Sequence, residues 1–155
     1  MEGDVLILKE SIGKQSNKVK NRVDRGMVKR FAEAIGDPHS NFIDEDTGKQ
    51  SRYGNNIAPP TFPQVFDYGE IFGLDLPGKG LIHGEQTYHY KRPLLVGEEI
   101  HCFTVVKDYY EKEGKHGAMG FLVINKQGED TTGKNIFTAE QVVIITGAVR
   151  KVMEP

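Results

Sequence analysis

The chain has 155 residues and a mass of 17.3 kDa, enough to bury a sizeable core without disulfides or metal, and residues 1–155 are expected to form a single domain. Its 20 basic and 22 acidic residues leave a net charge of −2, which gives no support to a nucleic-acid or membrane-surface protein, since those usually carry a basic excess. A lone cysteine, Cys102, excludes an internal disulfide, and with no apolar stretch of signal-peptide or membrane-span length the expected compartment is the cytoplasm.

Residues 1–16 are mixed, with one apolar burst at 5–8, and the sequence shows no internal repeat or low-complexity tract. Residues 18–23 alternate charge with Val19 and Val23 and predict a short edge strand, whose lysines discourage edge-to-edge association. Asp24 stands at a helix N-cap position, ahead of Met27, Val28, Phe31, Ala34 and Ile35 at the spacing of one helical face, with Gly36 as the stop. Residues 37–60 then dissolve into Pro, Ser, Asn, Asp and Gly. A polar connection of that length in a compact domain usually has a task, which makes it the functional suspect.

Pro59 and Pro60 close this loop, and Thr61 is expected to cap a second, long helix that tolerates Pro63 in its first turn. Phe62, Val65, Phe66, Ile71 and Phe72 would make that helix apolar over a wide arc, suited to being wrapped by sheet. Beyond Gly78-Lys79-Gly80 the period changes to two. Residues 81–94 alternate, with Ile82, Tyr88 and Tyr90 on one face and His83, Glu85, Thr87, His89 and Lys91 on the other. Residues 98–110, 118–125 and 135–150 follow in β-branched and aromatic composition, separated by Gly-containing turns at Val96-Gly97-Glu98, 113–117 and 128–133. Long strands joined by hairpin-type turns predict an antiparallel sheet, and with the helical section first the fold class is α+β. Cys102, within an alternating apolar run, reads as a small buried hydrophobe.

Several strings carry a resemblance: VDRGMVKRFAEAIGD from Val23 to Asp37, Ala58-Pro59-Pro60-Thr61-Phe62, His83-Gly84-Glu85-Gln86, Arg92-Pro93-Leu94 with Gly97-Glu98, and Tyr110-Glu111-Lys112-Glu113-Gly114. In their order and spacing, over residues 12–149, the chain resembles the MaoC-like dehydratases, the (R)-specific enoyl-CoA hydratase family of the hot-dog fold. The type is that of the N-terminal half of two-domain members. The resemblance implies an antiparallel sheet curled around the long central helix placed from Thr61, and pairing through sheet edges into a double hot dog with an acyl-thioester tunnel at the interface. It implies reversible syn addition of water to a trans-2-enoyl thioester, giving an (R)-3-hydroxyacyl derivative of CoA or of acyl carrier protein. No cofactor is expected, and no metal: the Asp44-Glu45-Asp46 run reads as solvent-facing acids.

That chemistry needs a base for water, an acid for the alpha carbon and donors for the oxyanion. Catalytic members resembling this chain supply Asp and His from a G-D-x-N-P-x-H motif. Gly36 and Asp37 match it, so Asp37 takes the acidic position, but the histidine position falls on Phe42, which carries no proton. His39, at the Asn position, is the substitute candidate, against the simpler reading of a loop histidine satisfied by solvent or backbone. The glycine whose N–H meets the thioester oxygen in catalytic members aligns with Pro60, which has no N–H. His83-Gly84 sits at a strand start and reads as an edge-of-sheet pair. Phe42, Pro60, Thr61, Phe62 and Arg92 are the candidate substrate-binding residues, with Arg92 and residues 112–116 as candidate phosphate contacts.

Three functions follow as expectations. The first is the substrate-binding subunit of a hydro-lyase whose catalytic hot-dog chain is a separate partner. The second is a self-sufficient homodimeric enoyl-CoA hydratase using Asp37. The third is an acyl-CoA thioesterase or acyl-binding hot dog, since a fold alone does not choose among thioester chemistries.

Overall fold

The alternation of residues 18–23 does form a strand, and the sheet it joins is the frame of the molecule. The structure is a computed structural model that describes residues 8–153; of the apolar burst at 5–8 only Leu8 falls within them, and it is buried. Strands β1 (Val19–Arg22), β2 (Leu81–Tyr90), β3 (Glu99–Gly114), β4 (Gly117–Glu129) and β5 (Asn135–Ile145) make one antiparallel sheet in the order β1-β3-β4-β5-β2. The Gly-rich segments after β3 and β4 are hairpin turns, the first so tight that Gly114 pairs with Gly117. The Val96-Gly97-Glu98 turn is not a hairpin as expected. β2 pairs with β5 instead, so this connection carries the chain from one side of the sheet to the other. Strand β5 also stops at Ile145, short of the expected 150, and a last helix, α4 (Gly147–Met153), packs back on β4; Gly147 lies so close to the His116 carbonyl that no Cβ would fit.

The face assignment of β2 needs one correction. The register shifts between His83 and Glu85, a β-bulge at Gly84, so residues on either side of it change parity. Gln86, Tyr88 and Tyr90 lie half-buried on one face, whereas Ile82 pairs with Ile144 on the opposite one and is 49% exposed.

Helix α1 (Arg25–Ala34) begins and ends where its caps predict. Asp24 Oδ2 accepts the Met27 N–H at 2.9 Å, and Gly36, at φ 76°, turns the chain so that the Asp37 N–H reaches the Ala32 carbonyl at 2.9 Å. Its inner face buries Val28 and Ala32.

The long helix expected from Thr61 does not form. A single 3₁₀ turn, Phe62–Val65, is followed by extended backbone at Phe66 (ψ 151°), and Thr61 makes no side-chain cap. Local chemistry breaks it. The Tyr68 hydroxyl donates to the Pro63 carbonyl at 2.6 Å, Asp67 Oδ1 accepts the Gly69 N–H at 2.9 Å in a tight turn, and Gly69 and Gly73 adopt positive φ. Phe62, Phe66 and Ile71 are nevertheless buried, so the apolar spacing marks separate anchors of an irregular segment; Phe72 is 97% exposed.

The core is correspondingly in two parts. One cluster gathers Val23, Val28, Phe42, Phe62, Phe66, Tyr68, Leu94, Ile100, Cys102 and Phe137. The other gathers Leu8, Ile71, Val106, Tyr109, Leu122, Val143 and Ile145. Cys102 is fully buried, as expected, and burial pushes its thiol up to about 12, which leaves it inert as a nucleophile.

Candidate functional site

The polar connection 37–60 contains two short helices, α2 (Ser40–Ile43) and α3 (Glu45–Gln50), and its polar residues are mostly their caps. His39 Nδ1 accepts the Asn41 N–H at 3.1 Å and so caps α2. Asp44 Oδ2 accepts the Thr47 hydroxyl at 2.6 Å and the Thr47 N–H at 2.9 Å, capping α3 and holding its own carboxyl below the usual carboxylate range. The loop closes on Asn56, which is 1% exposed. Its Nδ2 donates to the Asn41 and Asp44 carbonyls at 2.9 and 2.8 Å, and its Oδ1 accepts from Arg25 Nη1 at 2.8 Å. Gly48 lies beneath it, and a Cβ there would come 2.6 Å from the Asn56 nitrogen.

Asp37 and His39 share this turn, both exposed, the His39 N–H bonded to the Asp37 carbonyl at 2.8 Å. The imidazole lone pair at Nδ1 is committed to the backbone, and Nε2 then carries the proton. Phe42, at the motif's histidine position, is turned into the first core cluster at 8% exposure, with its ring edge-on to His39 at 6.0 Å.

Next to this loop lies a cleft of about 350 Å³ lined by Ile57, Ala58, Pro60, Tyr90, Lys91, Arg92 and Pro93. Two short pairings build it. Ala58 N–H bonds the Leu94 carbonyl at 2.9 Å, and Ile57 bridges to Leu95. Tyr90 at the end of β2 donates its hydroxyl to the Pro60 carbonyl at 2.6 Å, and burial raises the phenol's pKa, so it is a donor and not a base. The Arg92 guanidinium forks onto Glu98 through two bonds of 2.9 Å and reaches the Pro93 carbonyl at 3.0 Å; the hydrogen bonds to Glu98 raise its pKa. Glu98 Oε1 also takes the Leu95 N–H at 2.8 Å, so this ion pair braces the turn that forms one wall. The lining is mainly apolar and the Pro60 and Pro93 carbonyls are engaged, which suits it to an alkyl or acyl group.

The model of the FAS1-like dehydratase domain region matches residues 10–139. The chain belongs to that family. A UPF0336 protein of Thermobifida fusca is 29% identical over 131 residues, 81% of this chain and 84% of that protein. Among solved structures, a chain of the C-terminally truncated HadBC (3R-hydroxyacyl-ACP dehydratase) complex of Mycobacterium tuberculosis superposes with a TM-score of 0.71 at 17% identity, over 86% of this chain and 96% of that one. The ChsH1-ChsH2 complex from the same organism gives 0.71 at 18%, over 92% and 89%. The (R)-hydratase of A. caviae involved in PHA biosynthesis gives 0.63 at 21%, over 85% and 94%. These likenesses establish the hot-dog fold and agree with the MaoC-like resemblance of the sequence.

For this FAS1-like dehydratase-region chain, the candidate residues divide. Pro60 and Arg92 line the cleft, and Thr61 is exposed beside it. Phe62 is fully buried between Phe31 and Phe66, each ring edge-on at 5.5 Å, so it supports the cleft from within the core, as Phe42 supports the loop. Asp37 and His39 do not line it. Ile57, Ala58, Tyr90, Lys91 and Pro93 escaped the sequence reading; the signal that pointed to them was the Ala58-Pro59-Pro60 string beside Arg92-Pro93. His83 lies on the exposed edge strand, where it was expected. Among the described residues no group of three or more His, Cys, Asp or Glu is placed to hold a metal, and no helix is long and apolar enough to cross a membrane.

Proposed function

We propose that this chain is the substrate-binding subunit of a hot-dog hydro-lyase that catalyses reversible hydration of trans-2-enoyl thioesters to (R)-3-hydroxyacyl thioesters, its base supplied by a catalytic hot-dog partner. The observation that carries the reading is Phe42: the position equivalent to the motif's histidine is occupied by a ring packed into the core. A proton cannot be shuttled there, and the substitute, His39, spends its lone pair capping α2. Pro60 removes the N–H that would meet the thioester oxygen, while the apolar cleft around it is retained. In this reading Asp37 keeps the turn's shape, and Pro60, Thr61 and Arg92 border the acyl and pantetheine path with Phe42 and Phe62 behind them.

A partner chain is supported from two sides. HadBC and ChsH1-ChsH2 are each complexes of two differently named chains. Strand β2 is an edge of the sheet with its ladder open among the described residues, ready to extend into a second sheet.

The test is hydration of crotonyl-CoA by the purified chain, alone and mixed with a MaoC-like chain that carries an intact Asp/His loop. Activity is expected only in the mixture. Hydration by the chain alone that disappears in Asp37→Asn would replace this reading with the self-sufficient homodimer, and release of free thiol from acyl-CoA would replace it with a thioesterase.

A further inference from the structure

The sheet's inner face is not uniformly apolar. Cross-strand register sets Thr104, Lys126, Ala139 and Tyr88 side by side across β3, β4, β5 and β2, with Ile124, Gln141 and Gln86 in the next row. Leu122 and Ile124 belong to the second core cluster, so by alternation Lys126 projects from the same inner face, where the two clusters meet. Its Nζ stands 5.1 Å from the centre of the Tyr68 ring. No carboxylate or hydrogen-bond acceptor meets it among the described residues, and burial alone lowers its pKa. In the next row, two strands across on β2, Gln86 Oε1 is buried with no partner.

These groups are accessible because the helix expected over this face is absent. With residues 66–80 irregular, Lys126, Ile124, Gln141, Gln86 and Tyr88 are all only half-buried. An ammonium partly withdrawn from water and faced only by an aromatic ring is short of an anion, and the apolar side chains around it suit an aliphatic chain.

We infer that this half-buried stretch of the sheet's inner face takes an acyl thioester whose chain carries a carboxylate away from the thioester end, with Lys126 as the counter-ion and Ile124 and Tyr88 against the alkyl part. The inference rests on the acyl-thioester reading above and names its substrate class. Lys126 is then a specificity residue and takes no part in hydration.

The experiment is calorimetric titration of the full chain with decanoyl-CoA, its ω-carboxy counterpart, and the methyl ester of that carboxylate. The ω-carboxy thioester is expected to bind about tenfold tighter than the other two. Lys126→Met should bring the ratio of affinities close to unity, and Lys126→Arg should keep most of it; Lys126→Gln serves if the methionine variant does not fold. Equal binding of all three to the native chain, or a preference that survives in Lys126→Met, overturns the inference and leaves the acyl-thioester reading standing. Binding of none overturns both.

Discussion

Residues 37–60 and 61–80 are two connections of similar length that lead from α1 to β2, both rich in Gly, Pro and Asp, yet they are held in opposite ways. The first is ordered by side chains bonding to nearby backbone: His39, Asp44 and Ser51 each satisfy a helix end, and Asn56 ties three turns together from inside. The second has few such bonds. Its anchors are rings and one isoleucine set into separate core clusters, with Ser16 and Asn21 bonding the Tyr68 and Asp67 carbonyls from outside. A loop satisfied locally keeps its shape whatever ring or imidazole stands at a position such as Phe42. A segment held mainly by anchors can abandon a helix and leave part of the sheet's inner face half-buried.

The sharpest way to break this contrast is Phe62→Ala, which removes the central anchor of the second connection and should cost about 3–5 kcal/mol in urea unfolding. A small loss would show that the aromatic anchors do not hold it. Asn56→Ala should cost about 1–3 kcal/mol by stranding buried carbonyls and the Arg25 contact, with faster amide exchange confined to the first connection. Exchange that rises equally in both connections would dissolve the distinction.

Smaller effects refine it. Asp44→Ala should lower the melting temperature modestly by uncapping α3. Because hydrogen bonds depress the Asp44 carboxyl in the folded state, its stabilisation is complete above the ordinary carboxylate pKa of the unfolded chain and is lost as the pH falls through the lowered folded value. The gap between native and Asp44→Ala melting temperatures should therefore close in acid; a gap constant with pH would refute the cap. Phe72→Ser, at a ring that is 97% exposed, should change stability by no more than about 0.5 kcal/mol, and a larger loss would mean the tip is packed.

Much of this was legible in the sequence because it depends on near neighbours. The Asp24 cap, the Gly36 stop and the turn glycines of the hairpins are satisfied within a few residues of themselves, whereas the edge strand at 18–23 and the buried Cys102 were marked by their alternation although their partners lie far along the chain. The family strings carried the hot-dog fold. In the loop motif, Asp37 stands at the acidic position and Phe42 at the histidine position.

Tertiary structure decided the rest. The pairing of β2 with β5 joins residues that no local pattern links, and the bulge at Gly84 reverses the face of Ile82. Phe62, Val65, Phe66, Ile71 and Phe72 carry a helical spacing, but the Tyr68 hydroxyl, the Asp67 turn and the positive-φ glycines make a chain of anchors instead. The cleft around Pro60 and Tyr90, and Lys126 with no acid paired to it among the described residues, exist only because the folded sheet brings distant residues together. Sequence by itself determined the ends of elements such as α1, where a cap and a turn decide locally; the end of β5, the loss of the second helix and what faces what were decided by the fold.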